Sequence, residues 1–200
     1  DIGIKPTPAI GGVGLIKDYK KMITMDFKEI DNIVLVIGKT EGHIDQSLLS
    51  RIILNEKNGP PPEVNLFNEK NNGLTLLNLI EKKFIKSAHD VSLGGIIIAI
   101  SKMCIKGNKG IKLVKPKSLI NEIEYFFSED QGRYLVEIKP ENFKEVVKIL
   151  DKNSVHYDEI GKIIDKDMIV DDKTKLTIDE LRSYNTCLLY TSPSPRDIGE

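Results

Sequence analysis

Two short polar segments hold residue types that could do chemistry. The first is Ser87-Ala-His-Asp-Val-Ser-Leu-Gly-Gly95. Asp90 offers a hard carboxylate oxygen of the kind Mg2+ prefers. Ser92 can cap a helix or donate to a phosphate oxygen. Gly94 and Gly95 stand where a helix would open, and glycines there let a phosphate approach amides that already attract anions. The same residues read equally as a capped helix, with Asp90 and Ser92 satisfying its free N–H groups. The second segment is Phe126-Phe-Ser-Glu-Asp-Gln-Gly-Arg133. Glu129, Asp130, Gln131 and Arg133 form a polar cluster ahead of an apolar run. Such a loop reads a ligand by hydrogen bonds or forms a solvated turn.

Other candidates are weaker. His43, His89 and His156 are too scattered for a recognisable metal motif, and His89 reads as a hydrogen-bonded wall residue rather than a base. Gly38-Lys39-Thr40 resembles part of a phosphate loop, but the full Gly-x-x-x-x-Gly-Lys-Ser/Thr pattern is absent.

The elements that must position these residues follow from periodicity. Asn32–Gly38 is a continuous apolar run closed by glycine, the pattern of a strand buried on both faces. Asp45 is placed to cap a helix to about Lys57, with Leu48, Leu49, Ile52 and Ile53 on one stripe. Gly59-Pro-Pro-Pro62 ends it. A second helix is expected between Leu66 and Lys83, its best apolar spacing at Leu74, Leu77 and Ile80, broadened by Leu76 and Leu79. Phe84–Ala88 reads as a short strand. Gly94–Cys104 reads as an apolar helix with Gly95, Ala99 and Met103 at helical spacing, although its isoleucines would equally suit a strand. Strands are expected near 110–114, 133–138, 158–164 and 167–170, a helix over Phe143–Leu150 opened by Pro140, and a last helix from Ile178. The mixed order predicts an α+β fold, a layered mixed β-sheet flanked by helices.

The chain has 200 residues, of which 40% are hydrophobic and 30% charged, an ordinary globular balance. It has no Trp, so the core rests on Ile, Leu, Val and a few Phe. No apolar run approaches the roughly 20 residues of a membrane-spanning helix. Asp1 opens the sequence without a signal-peptide pattern and reads as a cut. Cys187–Asp197 reads codon for codon as a transposase sequencing adapter, so residues 187–200 are set aside from fold reasoning and expected to be disordered. The 29 basic residues then lose Arg196 and the 30 acidic lose Asp197 and Glu200, leaving 28 of each. Such a neutral chain has no basic field for nucleic acid or an anionic membrane. Cys104 remains as a single cysteine in an apolar helix, the pattern of a buried small hydrophobe in a reducing cytosol.

Six stretches resemble one family in order. They are Pro6-Thr-Pro-Ala-Ile-Gly-Gly-Val-Gly14, Gly42-His-Ile-Asp-Gln-Ser47, Gly59-Pro-Pro-Pro-Glu-Val-Asn65, Ser87–Gly95, Phe127–Arg133 and Leu176-Thr-Ile-Asp-Glu-Leu-Arg182. Together they resemble the phosphoribosylformylglycinamidine synthase catalytic subunit, within the aminoimidazole ribonucleotide synthetase-like superfamily. The resemblance implies a C-terminal-type domain over 19–186, preceded at 1–18 by the tail of an ATP-binding domain. It implies an ATP-dependent amidoligase of purine biosynthesis. ATP phosphorylates the formylglycinamide amide oxygen, and ammonia from a glutaminase subunit displaces the phosphate. A small accessory subunit and the upstream domains of the same chain are further implied partners. The family's catalytic His lies upstream, so the fragment alone is expected to be inactive. In the larger fused form of the family, the positions matching Asp90 and Ser92 hold Mg2+ and an auxiliary nucleotide, ATP or ADP, with Gly94 and Gly95 beside them. Leu93 departs from the usual Asp, which weakens a fully occupied metal site. Asn65 and Asp45 depart from the common Asp and Gly. Alternatives are a selenophosphate synthetase or thiamine-phosphate kinase type, or a non-catalytic nucleotide-binding module.

Overall fold

The computed structural model describes residues 10–16, 18–56, 58–117 and 119–191, with side chains through residue 185. In chain order the elements are β1 (Ile33–Ile37), α1 (Leu66–Glu81), β2 (Ile85–Asp90), α2 (Gly95–Gly107), β3 (Gly110–Leu113), α3 (Glu122–Phe127), β4 (Tyr134–Ile138), α4 (Phe143–Lys152), β5 (Tyr157–Ile164), β6 (Met168–Val170), β7 (Thr174–Leu176) and α5 (Ile178–Thr191). The strands form one sheet in the order β2-β4-β1-β5-β3-β6-β7. β3 and β6 are parallel, and the other neighbours are antiparallel. This is the layered, mixed α+β sheet that the element order predicts.

β1 explains the layering. All five of its residues are buried. Val34 and Val36 pack with Ile96, Ile100 and Met103 of α2, Tyr125 and Phe126 of α3, and Ile178 and Leu181 of α5. Ile33, Leu35 and Ile37 pack in a second cluster with Leu76 and Leu79 of α1 and Val146 and Leu150 of α4. Side chains alternate across a strand, so a continuous apolar run belongs to a sheet covered on both faces. Cys104 is buried in the α2 cluster, and that burial pushes its thiol up to about 12. Among the described residues no helix is long and apolar enough to cross a membrane.

Several expectations are corrected. The helix expected from Asp45 to Lys57 is a single wide turn over Leu49–Ile53 without a side-chain cap. Left-handed Gln46 and Asn55 bracket it, with φ of 63° and 54°. Its buried residue is Ser50, while Ile52 and Ile53 are exposed, so the isoleucines are not a core stripe. On α1 the inward stripe is Asn72, Thr75, Leu76 and Leu79, and Leu74 and Leu77 face outward. Two polar residues in that stripe hid it from hydrophobic spacing. α3 was not expected, although Asn121 and Glu124 form a capping box. The short strand β7 was not expected either. Residues 10–16 and 18 carry no regular element, and the remainder of 1–18 lies outside the described residues. α5 continues through Thr191, into the segment set aside above, and residues 192–200 lie outside the described residues.

One polar group is sealed into the sheet. Glu137 of β4 is fully buried. Its Oε1 accepts from the Glu29 amide at 3.0 Å and Asn32 Nδ2 at 2.6 Å. Its Oε2 accepts from the Lys28 amide at 2.9 Å and the Ser87 hydroxyl at 2.7 Å. The carboxylate thus ties the segment before β1 to β2 across β4. Glu137→Gln turns an NH2 group toward two of these donors. Unfolding in urea is expected to show a loss of roughly 3 kcal/mol, because buried donors left unmet cost about 1–3 kcal/mol each. A change below about 0.5 kcal/mol would contradict this role.

Candidate functional site

The structure brings the two polar segments together. β2 ends at Asp90, which pairs with Tyr134 at the start of β4. The Val91 amide continues the ladder by donating to the Arg133 carbonyl at 2.9 Å. The turn after β2 therefore lies against the loop before β4. Between them is a cleft of about 360 Å3 whose walls include Glu69, Asp90, Ser92, Leu93, Gln131 and Tyr134.

Asp90 stands exposed at this cleft. Its side chain is 66% exposed and its carboxylate meets His89 Nδ1 at 3.0 Å. Ser92 is exposed, and its hydroxyl has no hydrogen-bond partner among the described residues. Neither caps α2. The Gly94 amide donates instead to Glu129 Oε1 at 2.7 Å, and the Gly95 amide to the Ser92 carbonyl at 3.0 Å. The two glycines are buried and do not line the cleft. Gly95 has a φ of +71°, and a Cβ there would lie 2.6 Å from the Ser128 carbonyl and 2.7 Å from that of Phe126. Close packing of α2 on this backbone is enough to require glycine.

The second segment is mostly structural in its bonding. Glu129 Oε1 also accepts from the Leu48 amide at 2.8 Å, so one oxygen joins α2 to the loop before the Leu49–Ile53 turn. Asp130 accepts from the amides of Glu41, Gly42 and His43 at 3.0–3.1 Å. It fills a nest of consecutive N–H groups as a bound anion would. Arg133 is buried, donating from Nε to the Asp130 carbonyl, from Nη1 to the Thr40 hydroxyl and from Nη2 to the Ser128 carbonyl. Burial lowers its guanidinium pKa, and the charge of Asp130, 3.7 Å away, opposes that shift. Gln131 lines the cleft, with its Nε2 donating to the Glu129 carbonyl at 3.2 Å. Of the four residues in this loop, Gln131 keeps the freest side chain.

A larger cleft of about 600 Å3 adjoins the first and shares Glu69 and Gln131 with it. Lys39, His43, Asn68 and His156 are among its walls. The Asp158 carboxylate, 3.6 Å from His156 Nε2, raises that imidazole's pKa. Burial acts to raise the Asp158 carboxyl, but the nearby His156 imidazole and the bond from Tyr125 outweigh it and hold the group below its ordinary value. Gly38 is not part of a phosphate loop. It has a φ of +99°, and a Cβ there would lie 2.6 Å from the Gly132 carbonyl. Sequence reasoning missed this cleft because its walls come from five separate stretches of chain.

The family described as AIR synthase related protein, C-terminal domain, matches residues 29–173, spanning every residue of both segments. The chain belongs to this domain family. Over 186 residues, 93% of this chain, it is 69% identical to phosphoribosylformylglycinamidine synthase subunit PurL of Pelagibacter ubique. It is 36% identical over 197 residues to the PurL subunit of Bartonella henselae. The chain spans about a quarter of the length of these curated relatives, 26% in each case. Among solved structures, T. maritima PurL complexed with FGAR matches with a TM-score of 0.68 over 81% of this chain and 29% of that one, at 18% identity. A thiamine-monophosphate kinase from Stenotrophomonas maltophilia matches with a TM-score of 0.52 over 74% of this chain and 52% of that one, at 14% identity. At these identities the structural likenesses concern the fold.

Within this AIR synthase-type domain the buried Arg133 is the least replaceable member of the second segment. Lysine has no planar fork and cannot reach three acceptors at once. Arg133→Lys is expected to lose about 3 kcal/mol, the range for breaking a buried, hydrogen-bonded charge pair. Denaturant titration of the two proteins measures it. Loss of stability comparable to a surface substitution, within about 0.5 kcal/mol, would show that the guanidinium does not anchor the loop.

Proposed function

We propose that this domain is the C-terminal part of the ATP-dependent amidoligase that converts formylglycinamide ribonucleotide to the amidine. Glutamine supplies the ammonia through a glutaminase subunit, and a small accessory subunit completes the complex. The 69% identity to a PurL subunit over nearly the whole chain supports this over a selenophosphate synthetase, a thiamine-phosphate kinase or a non-catalytic module. The catalytic His implied by the family resemblance is not among these residues. The isolated 200-residue chain is therefore expected to form no amidine from ATP, ammonia and formylglycinamide ribonucleotide. Product detected in that assay would overturn the assignment of the chemistry to upstream domains.

The domain's own contribution in this reading is an auxiliary Mg-nucleotide site at Asp90 and Ser92. One observation supports it: both side chains stand at a cleft and neither caps α2, which has no side-chain cap and whose N-cap residue, Gly94, gives its amide to Glu129. The donor set is sparse. Among the described residues no group of three His, Cys, Asp or Glu side chains is arranged to hold a metal. That fits Mg2+ better than most metals, since Mg2+ commonly keeps several waters and binds through one or two carboxylates plus phosphate oxygens. When bound, the ion would neutralise phosphate charge. Asp90 would hold the cation, and Ser92 would donate to a phosphate oxygen. Gly94 and Gly95 serve the reading indirectly, by letting α2 start close behind Ser92. Leu93, 59% exposed, offers no further ligand.

Asp90→Asn in the intact subunit tests the site. A ligand held by the folded state at about 100 times its dissociation constant stabilises it by roughly 2.7 kcal/mol. Wild type is expected to melt higher with Mg-ADP, and the variant to lose most of that gain while its melting without nucleotide changes little. Equal gains for both proteins would remove Asp90 from the site.

A further inference from the structure

We propose that His89 is a positioning residue for Asp90, fixing the carboxylate that receives the cation. The inference rests on the Asp90 reading above. Adjacent residues of a strand normally point to opposite faces. At the end of β2, His89 Nδ1 and Asp90 Oδ1 are nevertheless 3.0 Å apart. An ionised carboxylate can only accept, so the proton of a neutral ring lies on Nδ1.

The rest of the ring is enclosed. The His89 side chain is 11% exposed against 66% for Asp90. His89 Nε2 is buried and has no hydrogen-bond partner among the described residues. A buried acceptor left unmet is unfavourable, and an apolar side chain of similar size would avoid that. Among the described residues, the contact that uses the ring's polarity is the one with Asp90. The ring lines a neighbouring cleft with Thr24, Met25 and Tyr134, behind the one that Ser92 lines, and the carboxylate is tied to it by one oxygen.

Asp90 has what a cation ligand needs on its other side. Its Oδ2 carries no hydrogen bond, and among the described residues no Lys or Arg lies within ion-pair distance of it. Carboxylates that bind metals are commonly held by such outer hydrogen bonds, and loss of one weakens metal affinity about 10–100-fold.

Titration calorimetry of ADP binding to the intact subunit, with Mg2+ and with EDTA, tests this. His89→Asn keeps a donor near the Nδ1 position, His89→Gln moves it toward Nε2, and His89→Leu removes it. The Asn variant is expected to bind Mg-ADP within about threefold of wild type. The Gln and Leu variants should weaken by about 10-fold or more, the low end of the range for outer hydrogen bonds. ADP binding in EDTA should be unchanged in all three. A wild-type dissociation constant for both His89→Gln and His89→Leu, with Asp90→Asn impaired, overturns the role of His89 and leaves the Asp90 site standing. Wild-type binding by Asp90→Asn removes the site itself, and the inference with it. Equal losses with Mg2+ and in EDTA also overturn it, since a packing defect does not distinguish the cation. If His89→Leu fails to fold, the Asn and Gln pair decides: a weak Asn and a normal Gln variant is the overturning result.

Discussion

The loop before β4 depends on a guanidinium that has no water to fall back on. Arg133 is enclosed, and its three bonded nitrogens reach the Asp130 carbonyl, the Ser128 carbonyl and the Thr40 hydroxyl. Those contacts wrap residues 128–133 around the side chain. With the loop so folded, Asp130 presents its carboxylate to the amides of 41–43, and Glu129 presents one oxygen to both Leu48 and Gly94. A charge removed from water is stabilising only when its hydrogen bonds are complete. Here each charged group completes those of a different piece of backbone. The end of β1, the 42–48 loop and the start of α2 are all referred to one short stretch.

This arrangement also decides which polar groups remain available. A helix start ordinarily recruits the nearest Asp or Ser as its cap. Here α2 has no side-chain cap, and Glu129, from a distant part of the chain, accepts the amide of its N-cap residue Gly94. Asp90 and Ser92 do not take the local role that their position suggests. Gly94 and Gly95 are likewise accounted for by contact, since side chains there would strike Ile98 and the 126–128 backbone. The motif Ser87–Gly95 thus divides into buried residues that serve packing and exposed residues that do not.

How much of this was legible in the sequence depended on whether burial followed hydrophobicity. β1 was legible because both faces of a central strand are apolar and no alternation confuses the pattern. α2 was legible through the helical spacing of Gly95, Ala99 and Met103 and the family likeness, since its isoleucines alone would equally suit a strand. The inward stripe of α1 was not. Asn72 is buried because its amide donates to the Gly132 carbonyl at 2.9 Å, a contact that pairs residues 60 apart in sequence. The turn at 49–53 failed for a related reason. Its geometry is set by Glu129 on Leu48 and by the Ser50 hydroxyl on the Glu56 carbonyl, not by its apolar residues. The candidate site was legible as residue types and family likeness. Which residues were spent internally was not, because hydrogen-bond partners across the sheet leave no trace in spacing.

Glu137 shows how far such hidden bonding extends. An acidic residue in the middle of Tyr-Leu-Val-Glu-Ile reads as the solvent-facing member of a half-exposed strand. It is instead sealed in, with four donors converging on it. One of them is the hydroxyl of Ser87, three residues before Asp90 on β2. β2 is an edge strand of the sheet, laddered to β4 and held on its other side by a backbone bond from the Ala88 amide to the Thr24 carbonyl at 3.2 Å. An edge held by a single ladder frays more readily than a central strand. The Ser87–Glu137 bond adds a side-chain tie to that ladder, close to where β2 must deliver Asp90 to the cleft. The buried carboxylate and the exposed one are thus connected: the first holds the strand whose end aims the second.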